Sequence, residues 1–254
     1  MTTVQKIIKY IATVFALFLV ITIISAIVTA GYEILSAIGL IHVKDNIVTE
    51  DFKVISNDIK EISTLKIDLA CTNLDIKVGD NFRVETNNSK ITFKENNGNA
   101  KIKEEKHHWM NSNNDSSSLI VYIPKAIQNL YLELGTGNVH IENITVTQEA
   151  EINGGVGKTD LKLCKINNLQ ANLGMGEFNF GGELIGKNAI KSGIGEVNVN
   201  LINNKENYTI DVSKGIGNVM LNGEKVEEDR KYGKGENYID INGGIGDINI
   251  NFEK

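Results

Sequence analysis

Two glutamates at equivalent positions are the residues of this 254-residue chain that come nearest to a catalytic pair. Glu177 and Glu196 each follow a Gly-x-Gly segment, and paired carboxylates are what polysaccharide-cleaving enzymes use. On stacked strands about 4.8 Å apart they would lie as neighbours, although any β-solenoid with repeated acids would show that spacing. The sequence shows no Ser–His–Asp set, phosphate loop or zinc-ligand spacing. A glycan-active enzyme is therefore the least favoured hypothesis, and no catalytic residue is assigned.

Two other groups resemble metal sites. Residues 243–247 (Gly-Gly-Ile-Gly-Asp) are similar to a calcium-binding repeat, but the Asp comes one place early and the period is about twenty rather than nine. His107 and His108 lie beside Glu104 and Glu105, and adjacent residues on a strand point to opposite faces, which suits one metal poorly. We interpret this segment as an exposed loop and assign neither a metal nor a cofactor.

Composition places the chain among globular proteins and excludes some partners. Apolar residues make up 41% and charged residues 23%. The net charge of −6, without a basic stripe, argues against binding to a nucleic-acid backbone.

Cys71 and Cys164 both lie among apolar residues, which predicts buried free thiols rather than a disulfide.

Residues 11–30 are twenty consecutive residues without a charge. A bilayer core about 30 Å thick needs about 20 helical residues, so the segment predicts a transmembrane helix. Lys6 and Lys9 precede it, and Glu33 is the first charge after it. The positive-inside rule then predicts a cytoplasmic tail over residues 1–10 and an extracellular C-terminal part.

A cleavable signal peptide is the alternative for the same segment, with cleavage after Ala30. Signal peptides carry apolar stretches of roughly 7 to 15 residues, so the longer stretch favours an uncleaved anchor. Both alternatives export the rest of the chain. Residues 31–59 then form a juxtamembrane segment and linker.

Six Gly-x-Gly segments recur in the C-terminal half, starting at residues 135, 155, 174, 193, 215 and 244. Alternating apolar residues flank each one, which predicts strand, glycine corner, strand. In five of the six segments the middle residue is apolar; Ile194, for example, stands three positions before the next apolar residue, Val197. Because three is odd, a straight strand would send these two side chains to opposite faces, so we predict a corner or bulge that glycine makes possible. This interpretation removes the glycines from the candidate active sites.

The repeat predicts an all-β fold in which residues 135–254 form a parallel β-solenoid of about six rungs, each 19–22 residues long. Equivalent polar residues would stack in two columns. One column would hold Asp160, Asn179, Asn198 and Asn249, and the other would hold Asn138, Lys158, Glu177, Glu196, Asn218 and Asp247. An antiparallel sandwich of the same strands is the alternative.

Residues outside the regular repeat receive separate interpretations. Residues 60–134 are predicted to be an irregular β-rich cap for the first rung, with residues 111–118 as an exposed loop. Residues 222–237 break the period with mixed charge. Such insertions often provide a binding face, although a solvated loop is the simpler alternative.

These features resemble the bacterial "putative adhesin" or toast-rack β-repeat family over roughly residues 60–252. The resemblance rests on Ile62-x-x-Leu65-x-Ile67 leading into Leu74-Asp-Ile76, on Ile123-Pro124 followed by Leu130-x-Leu132, and on the six glycine corners. It implies an envelope-facing β-solenoid, in some cases associated with envelope-stress systems, and provides no catalytic residues to transfer. Family corners often read Ser-Gly-Asp or Ser-Gly-Asn, whereas here the middle residue is mostly Ile, Val or Met.

Together these observations predict a non-catalytic, single-pass protein of the cell membrane. Its β domain would act as a surface scaffold or an adhesin-like binding module whose partner is an envelope protein or a cell-wall glycan. The alternative is an accessory or sensor component of an envelope-stress response.

Overall fold

The computed structural model describes residues 51–56, 59, 61–105, 117–227 and 230–252. The predicted tail, the predicted membrane helix and most of the linker lie outside these ranges, as do His107 and His108. Within the ranges, no helix is long and apolar enough to cross a membrane. The prediction of an all-β fold is confirmed, since the described elements are strands apart from one short 3-10 helix, Lys205–Asn207.

The strands, numbered along the chain, form two stacks, which are joined where residues 145–146 pair in parallel with residues 165–166. In spatial order the first stack contains β5 (Ile91–Asn96), β6 (Asn99–Glu104), β2 (Thr64–Leu69), β8 (Ala126–Thr136), β10 (Thr145–Val156), β12 (Leu169–Met175), β14 (Lys187–Ile194), β20 (Asn237–Ile245), β16 (Tyr208–Ile216) and β19 (Arg230–Gly233). The second contains β1 (Lys53–Val54), β4 (Arg83–Thr86), β7 (Ser118–Ile123), β3 (Asn73–Val78), β9 (Val139–Glu142), β11 (Thr159–Asn167), β13 (Phe178–Ile185), β15 (Val197–Leu201), β21 (Ile248–Phe252), β17 (Val219–Leu221) and β18 (Glu224–Lys225).

One strand from each stack and the corner between them make a coil, which we name by its residues. In coil 187–201, for example, β14 pairs in parallel with β12 and β20, while β15 pairs in parallel with β13 and β21. In this coil apolar residues alternate along the strands and point between the two stacks, where Ile190, Val197 and Val199 are fully or almost fully buried. Parallel pairing of successive coils fits a β-solenoid and not an antiparallel sandwich.

At the N-terminal end, the order of the coils in space differs from their order in the chain. Coil 64–78 lies between the pair of strands β6 and β7, which follows it in sequence, and coil 126–142. The segment between the first two provides β4 and β5, which pair antiparallel with the outermost coil. The predicted cap is therefore not uniform, because part of it continues the two stacks and part of it covers their edge.

The C-terminal end repeats this arrangement in reverse. Coil 237–252, the last in the chain, lies between coil 187–201 and coil 208–221. Insertion 222–237 provides β18 and β19, which pair antiparallel with the outermost coil. The prediction of a loop is wrong for these two strands, although they are mostly exposed, and a binding role for the insertion stays a prediction. Both strands cover an open sheet edge, which is a site of unwanted pairing when it is left exposed.

Two smaller predictions also need correction. Residues 111–116 lie outside the described ranges, but Ser117 is buried and Ser118 begins β7, so neither belongs to an exposed loop. Both cysteines are free as predicted, but only Cys164 is buried and Cys71 is exposed. Burial raises the pKa of the Cys164 thiol to about 11, which makes it a poor nucleophile.

Candidate functional site

The Gly-x-Gly corners bring the backbones of successive coils close together. The second glycine of each pair has a φ between +134° and +147°, a range that L side chains rarely adopt. A Cβ atom at Gly195 would overlap the carbonyl oxygen of Gly176 in the neighbouring coil. The interpretation of these glycines as a requirement of backbone geometry is therefore confirmed.

The residue between the two glycines points outward, which the sequence did not lead us to expect. Five such residues align across the coils in the order Val156, Met175, Ile194, Ile245 and Ile216, with exposed fractions of 49, 51, 46, 49 and 67%. We call these five residues the apolar ridge. Three positions further on, the side chain is buried instead. The two side chains therefore lie on opposite faces of the coil, one toward solvent and one toward the core. The corner exists, but it does not bring the middle residue into the core.

Outward-facing asparagines on β13, β15 and β21 form a second continuous surface. We call Asn179, Asn198, Asn200, Asn249 and Asn251 the asparagine face. The Asn198 amide donates to Asn179 Oδ1 at 2.9 Å and accepts from Asn249 Nδ2 at 2.8 Å, while Asn251 donates to Asn200 at 2.9 Å. The predicted column from Asp160 to Asn249 is confirmed by the strand register.

The hydrogen-bonding capacity of this face exceeds what the ladder uses. A side-chain amide has two N–H donors and two acceptor lone pairs. Asn198 uses one donor and one acceptor in the ladder, whereas Asn249 donates to both Asn198 and Glu196. The strands hold successive rungs about 4.8 Å apart. The asparagine face therefore offers donors and acceptors at a fixed repeat, on a surface that the parallel ladders hold in place.

A shorter amide ladder lies on the outer face of the first stack. Asn172 Nδ2 donates to Asn153 Oδ1 at 2.9 Å, and Asn153 Nδ2 donates to Glu133 at 2.7 Å. The next residue in this register is Lys191, which interrupts the amides. This ladder is chemically similar to the asparagine face but shorter, and it lies on the other stack.

The two glutamates considered for catalysis belong to the ladders as well. Glu177 accepts a hydrogen bond from Asn179 at 2.9 Å and pairs with Lys158 at 3.3 Å, and these contacts lower the pKa of its carboxyl group. Glu196 accepts from Asn249 at 2.7 Å. A glycosidase general acid needs a raised pKa, so the lowered pKa of Glu177 does not favour that role.

The residues with a resemblance to metal ligands have structural partners. The Asp247 carboxylate accepts the backbone N–H of Asn218 at 2.7 Å, and so joins two coils just after their corners. His140 is half-buried and lies 3.6 Å from Asp160 and 3.9 Å from Glu142. Over the part of the chain that the structure describes, no group of three or more ligating side chains could hold a metal ion.

A buried polar cluster at the first corner was missed by the sequence analysis. Glu104 was interpreted as part of an exposed loop, but it is only 6% exposed. Its carboxylate accepts the backbone N–H groups of Ala70 and Cys71 at 2.7 and 3.0 Å, and the Asn88 amide at 3.0 Å. Asn88 also donates to Ser117 at 2.8 Å. The cluster therefore provides hydrogen-bond acceptors for the corner of coil 64–78, which has no Gly-x-Gly segment.

Coils of this kind, with one corner each and a cap at either end, define a class of all-β repeat proteins. The chain belongs to the Toastrack DUF4097 family, whose model matches residues 62–254.

Several solved structures are similar to this chain. One is described as a putative cell adhesion protein from Clostridium sporogenes, with 19% identity, coverage of 80% of this chain and 99% of that one, and a TM-score of 0.43. Another is described as a putative adhesin from Bacteroides fragilis, with 12% identity, coverage of 80% and 98%, and a TM-score of 0.45. A third, described as a putative lipid binding protein from Parabacteroides distasonis, has 14% identity, coverage of 80% and 96%, and a TM-score of 0.38. No curated protein matches the sequence.

Proposed function

We propose that this protein is a non-catalytic surface module of the cell envelope, tethered by residues 11–30, whose asparagine face binds a repeating polar polymer of the cell wall. The observation that carries the proposal is the alignment of amides on three adjacent strands, β13, β15 and β21. A glycan chain presents hydroxyl and amide groups at regular intervals, and the ladder presents complementary groups at a regular interval of its own.

The arrangement of the face supports binding without turnover. Its amides are neutral and held by their neighbours, so they can form hydrogen bonds with little loss of side-chain entropy on binding. Both carboxylates beside the face are engaged: Glu177, whose pKa is lowered, contacts Asn179 and Lys158, and Glu196 accepts from Asn249. These groups suit recognition of a polar surface better than proton transfer.

Replacing Asn198 with alanine is expected to weaken binding to isolated cell-wall material by about tenfold or more. Asn198 occupies the centre of the ladder, so its loss interrupts the contact surface and leaves both neighbouring amides without one partner. A tenfold loss corresponds to about 1.4 kcal/mol, which is in the range of one or two hydrogen bonds. Co-sedimentation of the full chain with purified wall material would measure the dissociation constant.

Asn172→Ala is the matched control for this experiment. It removes a ladder asparagine from the other stack and should cost a similar amount of stability, about 1 kcal/mol, without a change in binding. Equal binding by the two variants and the unaltered protein would contradict a role for the asparagine face. Equal loss in both variants would point to a general effect on folding instead.

The tether is tested separately by labelling introduced cysteines in intact cells, with Cys71→Ser as the background. Lys187→Cys, on an exposed position of β14, is expected to react with a membrane-impermeant maleimide, while Thr3→Cys is expected to react only after the membrane is permeabilised. The protein should also remain in the membrane fraction after a high-salt wash. Labelling of Thr3→Cys alone in intact cells, or release of the protein by the wash, would contradict the proposed topology.

A further inference from the structure

We propose that the apolar ridge is a self-association surface, on which the ridge of a second copy of this chain packs in parallel. This inference concerns a different surface from the asparagine face and does not depend on what that face binds.

The ridge is not required by the corners that carry it. Thr136 occupies the equivalent position in the first corner, where it is exposed, so the corner geometry accepts a polar residue. The next five coils nevertheless all place Val, Met or Ile there, each about half exposed or more. With neighbours about 4.8 Å apart, the five side chains make a straight apolar strip about 19 Å long. A continuous exposed strip of this kind is typical of an interaction surface.

The spacing of the ridge favours an identical ridge as its partner. Side chains that repeat at the strand spacing can interdigitate with side chains that repeat at the same spacing, as in the dry interfaces between paired sheets. A second copy of the chain provides that match along the whole strip. Two-fold symmetry allows two arrangements, one with the ridges parallel and one with the ridges antiparallel.

Charges beside the ridge distinguish the two arrangements. In coil 187–201, Lys191 lies on one flank of Ile194 and Glu196 lies on the other. If the two-fold axis runs along the ridge, opposite flanks meet, and Lys191 of each copy faces Glu196 of the other. If the axis runs across the ridge at Ile194, like flanks meet, and Lys191 faces Lys191 while Glu196 faces Glu196. Opposite charges attract and like charges repel, so the parallel arrangement is favoured.

The neighbouring coils support the same choice. In the parallel pair, Glu177 of one copy faces Asn172 of the other, and Asp247 faces Asn242, so each carboxylate meets an amide. In the antiparallel pair centred on Ile194, Glu177 would face Asp247, which adds a further repulsive contact. The parallel pair also presents the same end of both coil stacks to the same side. Under the proposed function, this is what two copies tethered in one membrane require.

The size of the ridge predicts a weak pair. The ridge is one residue wide and only five residues long, so the pair would bury less area than stable interfaces do. Such a pair forms reversibly in solution and is promoted when both copies are confined to one membrane. Covalent trapping in the membrane is therefore a better measurement than size-exclusion chromatography.

Disulfide trapping of the full chain in its membrane tests the pairing. In a Cys71→Ser background, with Cys164 left in place because it is buried, Val156→Cys, Ile194→Cys and Ile216→Cys are each expected to give covalent dimers on mild oxidation. The control is Lys187→Cys, on the same coil but away from the ridge, with a yield expected to be at least about tenfold lower. Dimers at Ile194→Cys alone would overturn the parallel arrangement. Yields no higher than the control at all three positions would overturn the pairing itself.

A charge exchange tests the choice between the two arrangements. On the Ile194→Cys background, Lys191→Glu and Glu196→Lys are each expected to lower the dimer yield about fivefold, and the two together are expected to restore it to within about twofold. Recovery is expected only if Lys191 and Glu196 face each other across the pair, so a double variant no better than the single ones would overturn the proposal. Wall binding is compared only for Lys191→Glu, on the other flank of the ridge, and should stay unchanged there, so this result is separable from a failure of the proposed function; Glu196→Lys is left out of that comparison because Glu196 accepts from Asn249 of the asparagine face.

Discussion

Gly195→Ala is expected to cost at least about 4 kcal/mol of unfolding free energy, which is among the largest effects of a single substitution. The added Cβ would overlap the carbonyl oxygen of Gly176, and backbone atoms cannot move aside as a side chain can. Gly195 also has a φ of +142°, which a residue with a Cβ adopts only under strain. The two coils would have to separate at the corner, and the parallel ladders on both sides of it would be disturbed.

Two other glycines separate the two causes of that loss. Gly223 has a φ of +79°, but a Cβ added there meets none of the described atoms within 4 Å, so Gly223→Ala is expected to cost only about 1 kcal/mol. Gly181 lacks a positive φ, and its nearest neighbour would be 3.8 Å away, so Gly181→Ala is expected to be close to neutral. Urea-induced unfolding measured by circular dichroism gives all three values. A cost at Gly195 no larger than that at Gly223 would show that the close approach of the coils is unimportant.

The repeat itself was predictable from the sequence, and so was one polar column. Residues of like type recur at a fixed offset from each glycine pair, and parallel strands in register place them side by side. Asn198 and Asn249 are direct neighbours in that column although coil 208–221 comes between them in the chain. The corresponding residue of that coil is Met220, which lies on the far side of Asn249 and ends the run of amides.

The order of the coils was not predictable from the repeat. All the corners share one geometry, so the pattern does not say which coil packs against which. The order depends on the connections, such as residues 202–207, which lead from coil 187–201 past the position that coil 237–252 occupies. Insertion 222–237 was interpreted as a loop because it is strongly charged, yet charge is also how edge strands avoid further pairing.

The apolar ridge was missed because residue type does not determine exposure. A folded protein leaves more than half of its surface apolar, so an aliphatic residue at an irregular position can lie inside or outside. The spacing between Ile194 and Val197 had in fact indicated opposite faces. The apolar type of Ile194 favours burial, but the spacing is the better guide to its exposure.

Glu104 illustrates the same conflict in the opposite direction. Alternation along β6 places it on the inward side together with Ala100 and Ile102, but a glutamate is seldom buried without partners. Its partners come from distant segments, at residues 70–71 and 88. Nothing in the local sequence identifies these partners, because the change in coil order at the N-terminal end is what brings them together.

Glu104→Ala is expected to destabilise the protein by about 3 kcal/mol or more. The substitution removes the acceptor of the part-buried backbone N–H groups of Ala70 and Cys71 and of the buried Asn88 amide, and each unsatisfied buried group costs about 1–3 kcal/mol. Urea-induced unfolding would measure the loss. The control is Glu105→Ala, at the adjacent exposed position, which should stay within about 0.5 kcal/mol of the unaltered protein.

Hydrogen exchange gives the location of the effect as well as its size. In Glu104→Ala, the amides of Ala70 and Cys71 should exchange much faster than in Glu105→Ala. They lose the carboxylate that protects them, and the corner opens to water more easily. Amides of coil 169–180, far along the stack, should change only as much as global stability does. Uniform acceleration throughout the domain would show that Glu104 acts on the whole fold. Unchanged exchange at both amides would show that the carboxylate does not close this corner.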